Sequence, residues 1–455
     1  MAVHFRAEGA GPGPLTWGQL AIWEVLRWLP ADDSSLNITG SCTVPAGVAL
    51  PQVLAAVGAL VERHDSLRSR YFDTPDGPRQ QVRDRGELAV PAHDVGEGSL
   101  DDAVAHHLRI MRAGHFDDAV DLPLRVAVLT DAGRPVRVLM VVSHMAVDGW
   151  SYQILLRDLA ALLAGETLGP VGQQPLQRAA FEASEPGRRR EARTLAYWAE
   201  RLAGTGDRMM RNASADPVPK LAWAEILSPA LAAATLSLSA RYAVRPSAIA
   251  MAATAVVLTE WTGQPDVSIR TIVATRFQPE SRDMVAAFNQ NALFHLPVRE
   301  EGRDALFRRA GDAAMRAYRN SECDPRKLGA VIDAIAAERD IAGRGYCFFN
   351  DVRFAREGRV VVDIDAADEA ARRVPTLRHL TRVSEVQRPR TPKDANFFLY
   401  LNEIGDRADL TLCVREGFLG AATPADFLRS LERTVLDAAL DPQYTVRQPT
   451  WTHDR

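Results

Sequence analysis

Apolar residues recur every three or four positions in some stretches of the chain and alternate or cluster in others, in both halves. The first pattern predicts helices at residues 16–29, 51–61, 150–162, 246–261, 303–318 and 424–439. The second predicts strands at 125–129, 136–142, 267–275, 292–298, 346–352, 396–402 and 408–414. Turn-forming residues at 131–134 predict a hairpin between the first two strands. We therefore expect an α/β protein built from α+β lobes.

The composition changes between residues 165 and 220. Glycine, proline and glutamine are frequent at 165–175, and three arginines follow at 188–190. We place a connection between two lobes here, and predict an N-terminal lobe at 1–165, a connection at 166–220 and a C-terminal lobe at 221–455. The arginine run is expected to be a solvated face, with a contact patch for an acidic partner as the alternative.

Charge and cysteine content exclude several classes of function. The chain has 54 Lys and Arg against 58 Asp and Glu, a net charge of −4, which gives no drive toward nucleic acid. The four cysteines are far apart in the sequence and form no C-x-x-C pair, so neither a disulfide framework nor a zinc site is expected.

The N-terminus lacks a secretion signal, and the apolar stretch 248–258 is too short to span a bilayer. We expect a cytoplasmic protein without membrane association.

The segment 136–163 carries the clearest candidate chemistry. Its apolar strand ends at Ser143 and His144, a short loop reaches Asp148 and Gly149, and a helix begins at about Trp150. Such a strand exit can hold a polar side chain rigidly beside a cavity. Histidine is the residue type whose ordinary pKa lies near neutrality, as a general base requires. Spacing alone leaves open a structural role for His144, and Asp148 could simply cap the following helix.

Several segments together resemble a known family. Residues 143–149, S-H-M-A-V-D-G, resemble the H-H-x-x-x-D-G signature of the condensation domains of nonribosomal peptide synthetases. These domains belong to the chloramphenicol-acetyltransferase-like superfamily of acyltransferases. Residues 15–23 resemble the family's opening motif, and R-H-D-S-L-R-S-R-Y-F at 63–72 is similar to R-H-E-x-L-R-T-x-F. Residues 122–126, 197–198 and 285–299 also have counterparts, so the resemblance covers nearly the whole chain.

The resemblance implies a fold and a reaction. The family has two similar lobes that form a V with a central substrate tunnel. An acyl group enters on the phosphopantetheine arm of a carrier protein, and a small-molecule amine or alcohol enters from the other side. No permanently bound cofactor and no metal are implied. We expect a monomer that joins the two substrates in natural-product biosynthesis.

The motif match also implies roles for particular residues. His144 would be the catalytic histidine, and Gly149 with the backbone amide of Trp150 would lie where an oxyanion needs stabilisation. Asp148 would be structural and paired with an arginine of the N-terminal lobe, with Arg63 and Arg68 as candidates.

Residues of the later part of the chain are less sharply assigned. Asn289 and Asn291 would line the tunnel, or would be turn-forming polar residues. Arg276 and Arg282 follow a predicted strand, and either resembles an arginine that follows the central strand in relatives. Solvation at the surface is the expected role for both.

The chain departs from the family signature at one position. Ser143 stands where the family usually has the first histidine. The resemblance implies that this position supports catalysis rather than performing it, so we expect the enzyme to be active with a serine there. Because the resemblance covers nearly the whole chain and leaves no adenylation or carrier region over, we expect a free-standing condensation enzyme that takes its carrier-bound donor from another chain. A CoA-dependent acyltransferase is one alternative. A catalytically silent module that recruits a partner to a carrier protein is the other.

Overall fold

The chain folds into two compact units in a computed structural model, which describes residues 1–30, 33–211, 220–341, 345–355, 364–387 and 395–446. The N-terminal unit comprises Met1–Arg189 and Ala274–Gln290, and the C-terminal unit comprises Arg190–Val273 and Asn291–Arg455. The separation at 189/190 lies inside the predicted connection. The structure differs from the prediction in that residues 274–290 belong to the N-terminal unit. Residues 212–219 of the predicted connection lie outside the described part.

The N-terminal unit contains helices and short sheets in mixed order. Its elements are β1 (Ala2–Arg6), β2 (Gly11–Pro14), α1 (Trp17–Leu26), β3 (Asn37–Thr43), α2 (Leu50–Arg63), β4 (Ser69–Phe72), β5 (Arg79–Val82), β6 (Arg85–Ala89), β7 (Ala92–Asp94), α3 (Leu100–Arg112), β8 (Leu124–Asp131), β9 (Arg134–Ser143), α4 (Gly149–Leu163), α5 (Pro175–Ala183) and the start of α6 (Glu185–Gly204). The sheets have the orders β3-β9-β8-β7, β2-β5-β4 and β1-β6.

Strand β9 forms the centre of the N-terminal unit. It pairs antiparallel with β3 on one side and with β8 on the other. Val138, Met140 and Val142 pack into the core that includes α2 and α4, whereas Leu139 packs into the separate cluster that includes α3. A strand covered on both faces reads as a continuous apolar run, which explains the sequence at 138–142. The same packing fixes the position of the residues that follow β9.

Capping and apolar spacing explain the neighbouring helices. The Thr16 side chain accepts a hydrogen bond from the Gln19 amide, and the Gln19 side chain accepts one from the Thr16 amide, so a capping box begins α1. Pro51 lies in the first turn of α2, where its missing N–H costs nothing. Val53 and Leu60 of α2 are fully buried, as the predicted apolar face requires.

The C-terminal unit is built around one large mixed sheet. Its elements are the rest of α6, α7 (Asp207–Met210), β10 (Leu221–Ser228), α8 (Pro229–Tyr242), α9 (Pro246–Thr262), β11 (Asp266–Ala274), β12 (Asn289–Pro297), β13 (Glu301–Gly302), α10 (Arg303–Arg319), α11 (Pro325–Glu338), β14 (Tyr346–Asp351), α12 (Ile364–Leu377), β15 (Arg382–Glu385), β16 (Ala395–Ile404), β17 (Ala408–Arg415), α13 (Pro424–Leu440) and β18 (Thr445–Val446). The sheet order is β12-β11-β14-β16-β17-β10-β15, and β13 pairs with β18.

The core of the C-terminal unit lies between this sheet and its apolar helices. Helix α9 is buried along almost its whole length and ends at Gly263, whose φ of 71° is left-handed, as the glycine signal predicts. In the described residues no single helix is long and apolar enough to cross a membrane. The pair α8 and α9 meets the length and composition criteria together, with a bend of 108° between the two helices.

The predicted helices and strands correspond to α1, α2, α4, α9, α10 and α13, and to β8, β9, β11, β12, β14, β16 and β17. The arginine run is part of α6. Arg188 and Arg189 are exposed and pair with Glu185 of the same helix, as a solvated face requires. Arg190 differs, because it pairs at 3.1 Å with the buried Glu322 in the C-terminal unit.

Candidate active site

The candidate site centres on the turn that follows β9. The Ser143 amide donates to the Pro123 carbonyl at 2.9 Å, and the Ser143 carbonyl accepts from the Ala146 amide at 3.0 Å. Every residue from 138 to 148 is buried except His144. The tightly packed turn therefore presents a single half-buried side chain, the imidazole of His144. His144 thus lies at the strand exit, as the sequence predicts, and its catalytic role stays a prediction.

The Ser143 hydroxyl holds this turn from within. It accepts a hydrogen bond from the Met145 amide at 3.3 Å and donates to Oδ1 of Asp118 at 3.2 Å. Burial raises the pKa of Asp118 to about 6, although the hydrogen bond from Ser143 acts in the opposite direction. Asp118 thus brings a carboxyl with a near-neutral pKa next to the turn. Sequence reasoning missed it, because residues 113–123 form a loop without a distinguishing pattern.

Asp148 is the N-cap of α4 and is fully buried. Its Oδ1 accepts from the Ser151 amide at 2.7 Å, and the Phe288 amide donates to Oδ2 at 3.2 Å. Arg276 donates to both oxygens, from Nη1 to Oδ2 at 2.7 Å and from Nη2 to Oδ1 at 3.1 Å. The carboxylate is therefore held by four donors, and its backbone N–H donates to the Ala286 carbonyl. These contacts anchor the turn. They also occupy both oxygens of the Asp148 carboxylate, so this carboxylate is not placed to accept a proton from a substrate.

Arg276 corrects an expectation from the sequence. It was expected to be solvated, but only 4% of its side chain is exposed. Besides Asp148, its guanidinium contacts the hydroxyl of Ser151 and the carbonyl of Met284. The reason is that residues 274–290 return to the N-terminal unit, which no local pattern in the sequence indicates. Arg282, by contrast, is exposed as expected.

The two arginines predicted to pair with Asp148 have other partners, so that prediction was wrong. Arg63 pairs with Asp158 of α4 at 3.0 Å. Arg68 is buried and pairs with Asp65 in the short turn before β4. Both arginines belong to the motif at 63–72, and they were candidates because the resemblance implies a partner for Asp148 from the N-terminal lobe. The real partner comes from a segment more than a hundred residues later in the chain.

A second buried arginine supports the segment that carries Arg276. The guanidinium carbon of Arg178 lies 4.8 Å from the centre of the Phe288 ring, and that of Arg276 lies 5.0 Å from it. Arg178 pairs with Glu182 at 2.7 Å, and Glu182 also accepts from the Trp17 amide at 2.8 Å. Cation–π contacts in a desolvated setting are worth about 2 kcal/mol each. Helices α1 and α5 thereby fix Phe288, whose backbone amide binds Asp148.

The N-terminus of α4 gives the site its electrostatic character. Gly149 and Trp150 are the first two residues of this helix, and the first intrahelical bond runs from the Tyr152 amide to the Asp148 carbonyl at 2.9 Å. First-turn amides have no acceptor within a helix, and the helix dipole places positive potential at this end. A developing negative charge would be stabilised here. Trp150 is 38% exposed.

A separate ionic cluster lies at the other predicted motif. His64 is buried, and its Nε2 lies 3.0 Å from Oδ2 of Asp158. Burial lowers the pKa of His64. Burial acts to raise the pKa of Asp158, but hydrogen bonds from His64 and Arg157 outweigh it and lower that pKa to about 2. This cluster ties α2 to α4 and is a structural feature.

Asn289 and Asn291 begin β12 and are both half-buried. Alternation along the strand places them on one face, with the buried Gln290 on the other. Asn289 belongs to the N-terminal unit and Asn291 to the C-terminal unit, and their predicted lining of a tunnel stays a prediction. In the described part of the chain, no group of three His, Cys, Asp or Glu side chains is placed to hold a metal ion.

The model of the condensation domain family matches residues 13–329, which is more than half of the chain. Phosphinothricin tripeptide synthetase PhsC of Streptomyces viridochromogenes is 30% identical over 304 residues, which cover 63% of this chain and 28% of that protein. The chain therefore corresponds to less than a third of this curated relative.

Solved structures agree on the fold. SgcC5 of Streptomyces globisporus aligns with a TM-score of 0.66 and 18% identity, over 94% of this chain and 100% of that chain. A second solved structure concerns condensation domain-mediated chain release from the enacyloxin polyketide synthase. It aligns with a TM-score of 0.70 and 18% identity, over 98% of this chain and 86% of that chain. At these identities the similarity establishes the fold, and it confirms the predicted two-lobed α/β class. The chain belongs to the condensation domain family, the acyl-transferring domains of nonribosomal peptide synthetases.

Proposed function

We propose that this chain is a condensation enzyme that joins an acyl or aminoacyl thioester, held on a separate carrier protein, to an amine or hydroxyl acceptor. His144 is the general base. One observation carries this proposal: His144 is the only residue between 138 and 148 that is not buried, so the turn presents it and nothing else. A histidine with a merely structural role would be expected to share the burial of its neighbours.

The proposed reaction is a single acyl transfer. The acceptor nitrogen or oxygen attacks the thioester carbonyl carbon while the imidazole of His144 takes the acceptor's proton. The tetrahedral intermediate then collapses and the carbon–sulfur bond breaks. The leaving thiolate takes the proton from the His144 imidazolium, which gives an amide or ester, a free thiol and a neutral His144. Positioned general-base catalysis contributes about 10²- to 10⁴-fold to such a step.

The negative charge that develops on the carbonyl oxygen needs a stabilising group. The amides of Gly149 and Trp150 at the N-terminus of α4 are proposed for this role, supported by their place five and six residues after His144 on the same turn. One donor to an oxyanion contributes about 10²- to 10³-fold in comparable sites.

Asp148 and Arg276 are proposed as positioning residues. The Asp148 carboxylate already accepts hydrogen bonds from Arg276, the Ser151 amide and the Phe288 amide. The carboxylate thus holds the surrounding backbone and Arg276 in place, and it is not proposed to take the acceptor's proton. Its contribution is to keep the turn and the start of α4 in fixed relation, as preorganised catalysis requires.

The serine at the first motif position is compatible with activity. Ser143 anchors the turn through its hydroxyl and through its backbone, and neither contact needs a histidine. The intact anchoring of His144 and Asp148 supports an active enzyme over a silent recruiting module.

The family likeness supports a carrier-bound donor. The condensation fold covers 94% to 98% of this chain. The donor is proposed to arrive on a carrier domain that is not part of this fold, with a CoA thioester as the competing donor. SgcC5 was solved with a naphthyl ethanediol, which supports testing alcohols beside amines as acceptors.

Intact-mass spectrometry of the carrier tests the proposal. The enzyme is incubated with an acyl-loaded carrier protein and a panel of amines and alcohols, and in parallel with the matching acyl-CoA. We expect the carrier to lose its acyl mass only when enzyme and acceptor are both present. Equal or faster turnover of acyl-CoA would identify CoA, and not the carrier, as the donor. Carrier binding without acyl transfer in any arm would favour the silent module.

A further inference from the structure

A cationic cleft lies on the N-terminal unit beside the three-stranded sheet β2-β5-β4. Its volume is about 530 Å³, and its lining includes Arg70, Gln81, Arg83, Asp84 and Arg85. Gln81 is exposed, and Arg70 and Arg83 are half-buried. The cleft therefore combines three guanidinium groups and one amide with a single carboxylate.

The arginines converge because of strand register. Arg70 of β4 lies directly opposite Gln81 of β5, so their Cβ atoms are about 5 Å apart on one face of the sheet. Arg83 follows Gln81 by two residues and continues the pairing, since its amide donates to the Arg68 carbonyl at 3.0 Å. Residues two apart on a strand share a face. Arg70 and Arg83 thus project from neighbouring strands to the same side.

The positive charge in the cleft is not neutralised by nearby carboxylates. In the ranges that the structure describes, neither Arg70 nor Arg83 forms an ion pair, and the Nε of Arg70 is buried without a hydrogen-bond partner. Burial, and then the charge of Arg70, lower the pKa of Arg83. Asp84 pairs only loosely with Arg85, at 3.7 Å between exposed side chains. Two like charges held this close would be stabilised by an anion.

We propose that this cleft binds a phosphate ester. Guanidinium groups match the geometry of phosphate oxygens and bind them through paired hydrogen bonds. The cleft is large enough for a phosphate with an organic chain. The 4′-phosphopantetheine group of a carrier and coenzyme A share this chemistry. The assignment does not depend on His144 or on acyl transfer.

Calorimetric titration at low ionic strength tests the cleft without any turnover. The probes are 4′-phosphopantetheine, pantetheine without its phosphate, dephospho-CoA and CoA. We expect 4′-phosphopantetheine to bind at least tenfold more tightly than pantetheine. Equal binding of dephospho-CoA and 4′-phosphopantetheine would identify the phosphate that carriers and CoA share, and a large further gain with CoA would identify the 3′-phosphate of free CoA as a second contact.

Charge variants decide whether the binding belongs to this cleft. The double variant R70Q/R83Q should weaken 4′-phosphopantetheine binding at least tenfold, whereas R189Q, an exposed arginine on α6, should leave it unchanged. D84N removes the carboxylate of the cleft and should tighten binding, which keeps the test informative if the double variant folds poorly. Pantetheine binding as tightly as 4′-phosphopantetheine, or R70Q/R83Q and D84N both binding like the wild type, would overturn the proposal.

Discussion

The guanidinium of Arg276 and the carboxylate of Asp148 form a buried, two-pronged ion pair between residues 128 positions apart in the sequence. Asp148 is fully buried and Arg276 is 4% exposed. The pair joins the start of α4 to the segment 274–290 within the N-terminal unit. Since His144 precedes Asp148 by four residues, this ion pair sets the geometry of the turn that presents the proposed base.

Loss of Arg276 should be strongly destabilising. R276Q leaves the Asp148 carboxylate buried without its counter-charge, which typically costs about 3–5 kcal/mol. R276K keeps the charge but not the two-pronged contact, and should fall between R276Q and the wild type. Urea unfolding followed by circular dichroism measures the free energy of unfolding of each variant.

A double variant and a surface control accompany that measurement. D148N/R276Q should be more stable than the sum of the two single changes predicts, because neither partner is then left charged and alone. R188Q breaks an exposed pair with Glu185 and should cost less than about 1 kcal/mol. Similar costs for R276Q and R188Q would contradict the anchoring role of Arg276.

Gly18 of α1 should not tolerate a side chain. A Cβ at this position would lie 2.9 Å from the Cα of Phe288 and closer still to the Ala287 carbonyl oxygen, and both are backbone atoms. We expect G18A to lose about 1–3 kcal/mol through overpacking, and acyl transfer to fall with it because the segment 274–290 must move.

Gly329 provides the matched control for this substitution. It lies inside α11, where a Cβ would meet nothing within 4 Å. G329A should therefore gain up to about 1 kcal/mol from helix propensity alone. A G18A protein as stable as G329A in urea would show that the close approach at α1 is not a constraint.

The pH dependence of stability should reveal Asp118. Its pKa is raised to about 6 in the folded protein, from an ordinary value of 3.8. The folded state therefore favours the protonated carboxyl, so the stabilising contribution is full below about pH 4 and is lost as the pH rises through about 6. The difference in unfolding free energy between the wild type and D118N should change over this window and stay constant above it.

The Ser143 hydroxyl should modulate the same titration. It donates to Asp118 and so lowers the pKa of that carboxyl. S143A removes this bond, and the carboxyl resonance of Asp118 in ¹³C NMR should titrate at a higher pH than in the wild type. An unchanged or lower midpoint would mean that the two side chains do not interact in solution.

Much of the fold could be predicted from the sequence where apolar spacing is strong. Helix α2 and strands β8 and β9 were found because a buried face or a doubly covered strand leaves a clear pattern. Helix α8 was missed, since its alanine, serine and threonine residues give little contrast between its two faces. The return of residues 274–290 to the N-terminal unit was missed because it depends on contacts rather than on local pattern.

The candidate site was predictable to a similar extent. The positions of His144, Asp148 and the start of α4 follow from a contiguous motif, so they could be placed in advance. Arg276 and Asp118 reach the site from distant parts of the chain, and neither is marked by its neighbours in the sequence. The cap that Asp148 forms on α4 was foreseen, whereas its ion-pair partner was not.

The rate of a single turnover tests the central claim, that His144 acts as the base, most directly. The wild type and H144A are mixed in excess over an acyl-loaded carrier, with the acceptor that gives the fastest product, and the reaction is quenched at increasing times. Circular dichroism first establishes that H144A is folded. We predict that H144A forms product about 10²- to 10⁴-fold more slowly than the wild type. A rate within a factor of about two of the wild type, with chemistry limiting, would contradict general-base catalysis by His144.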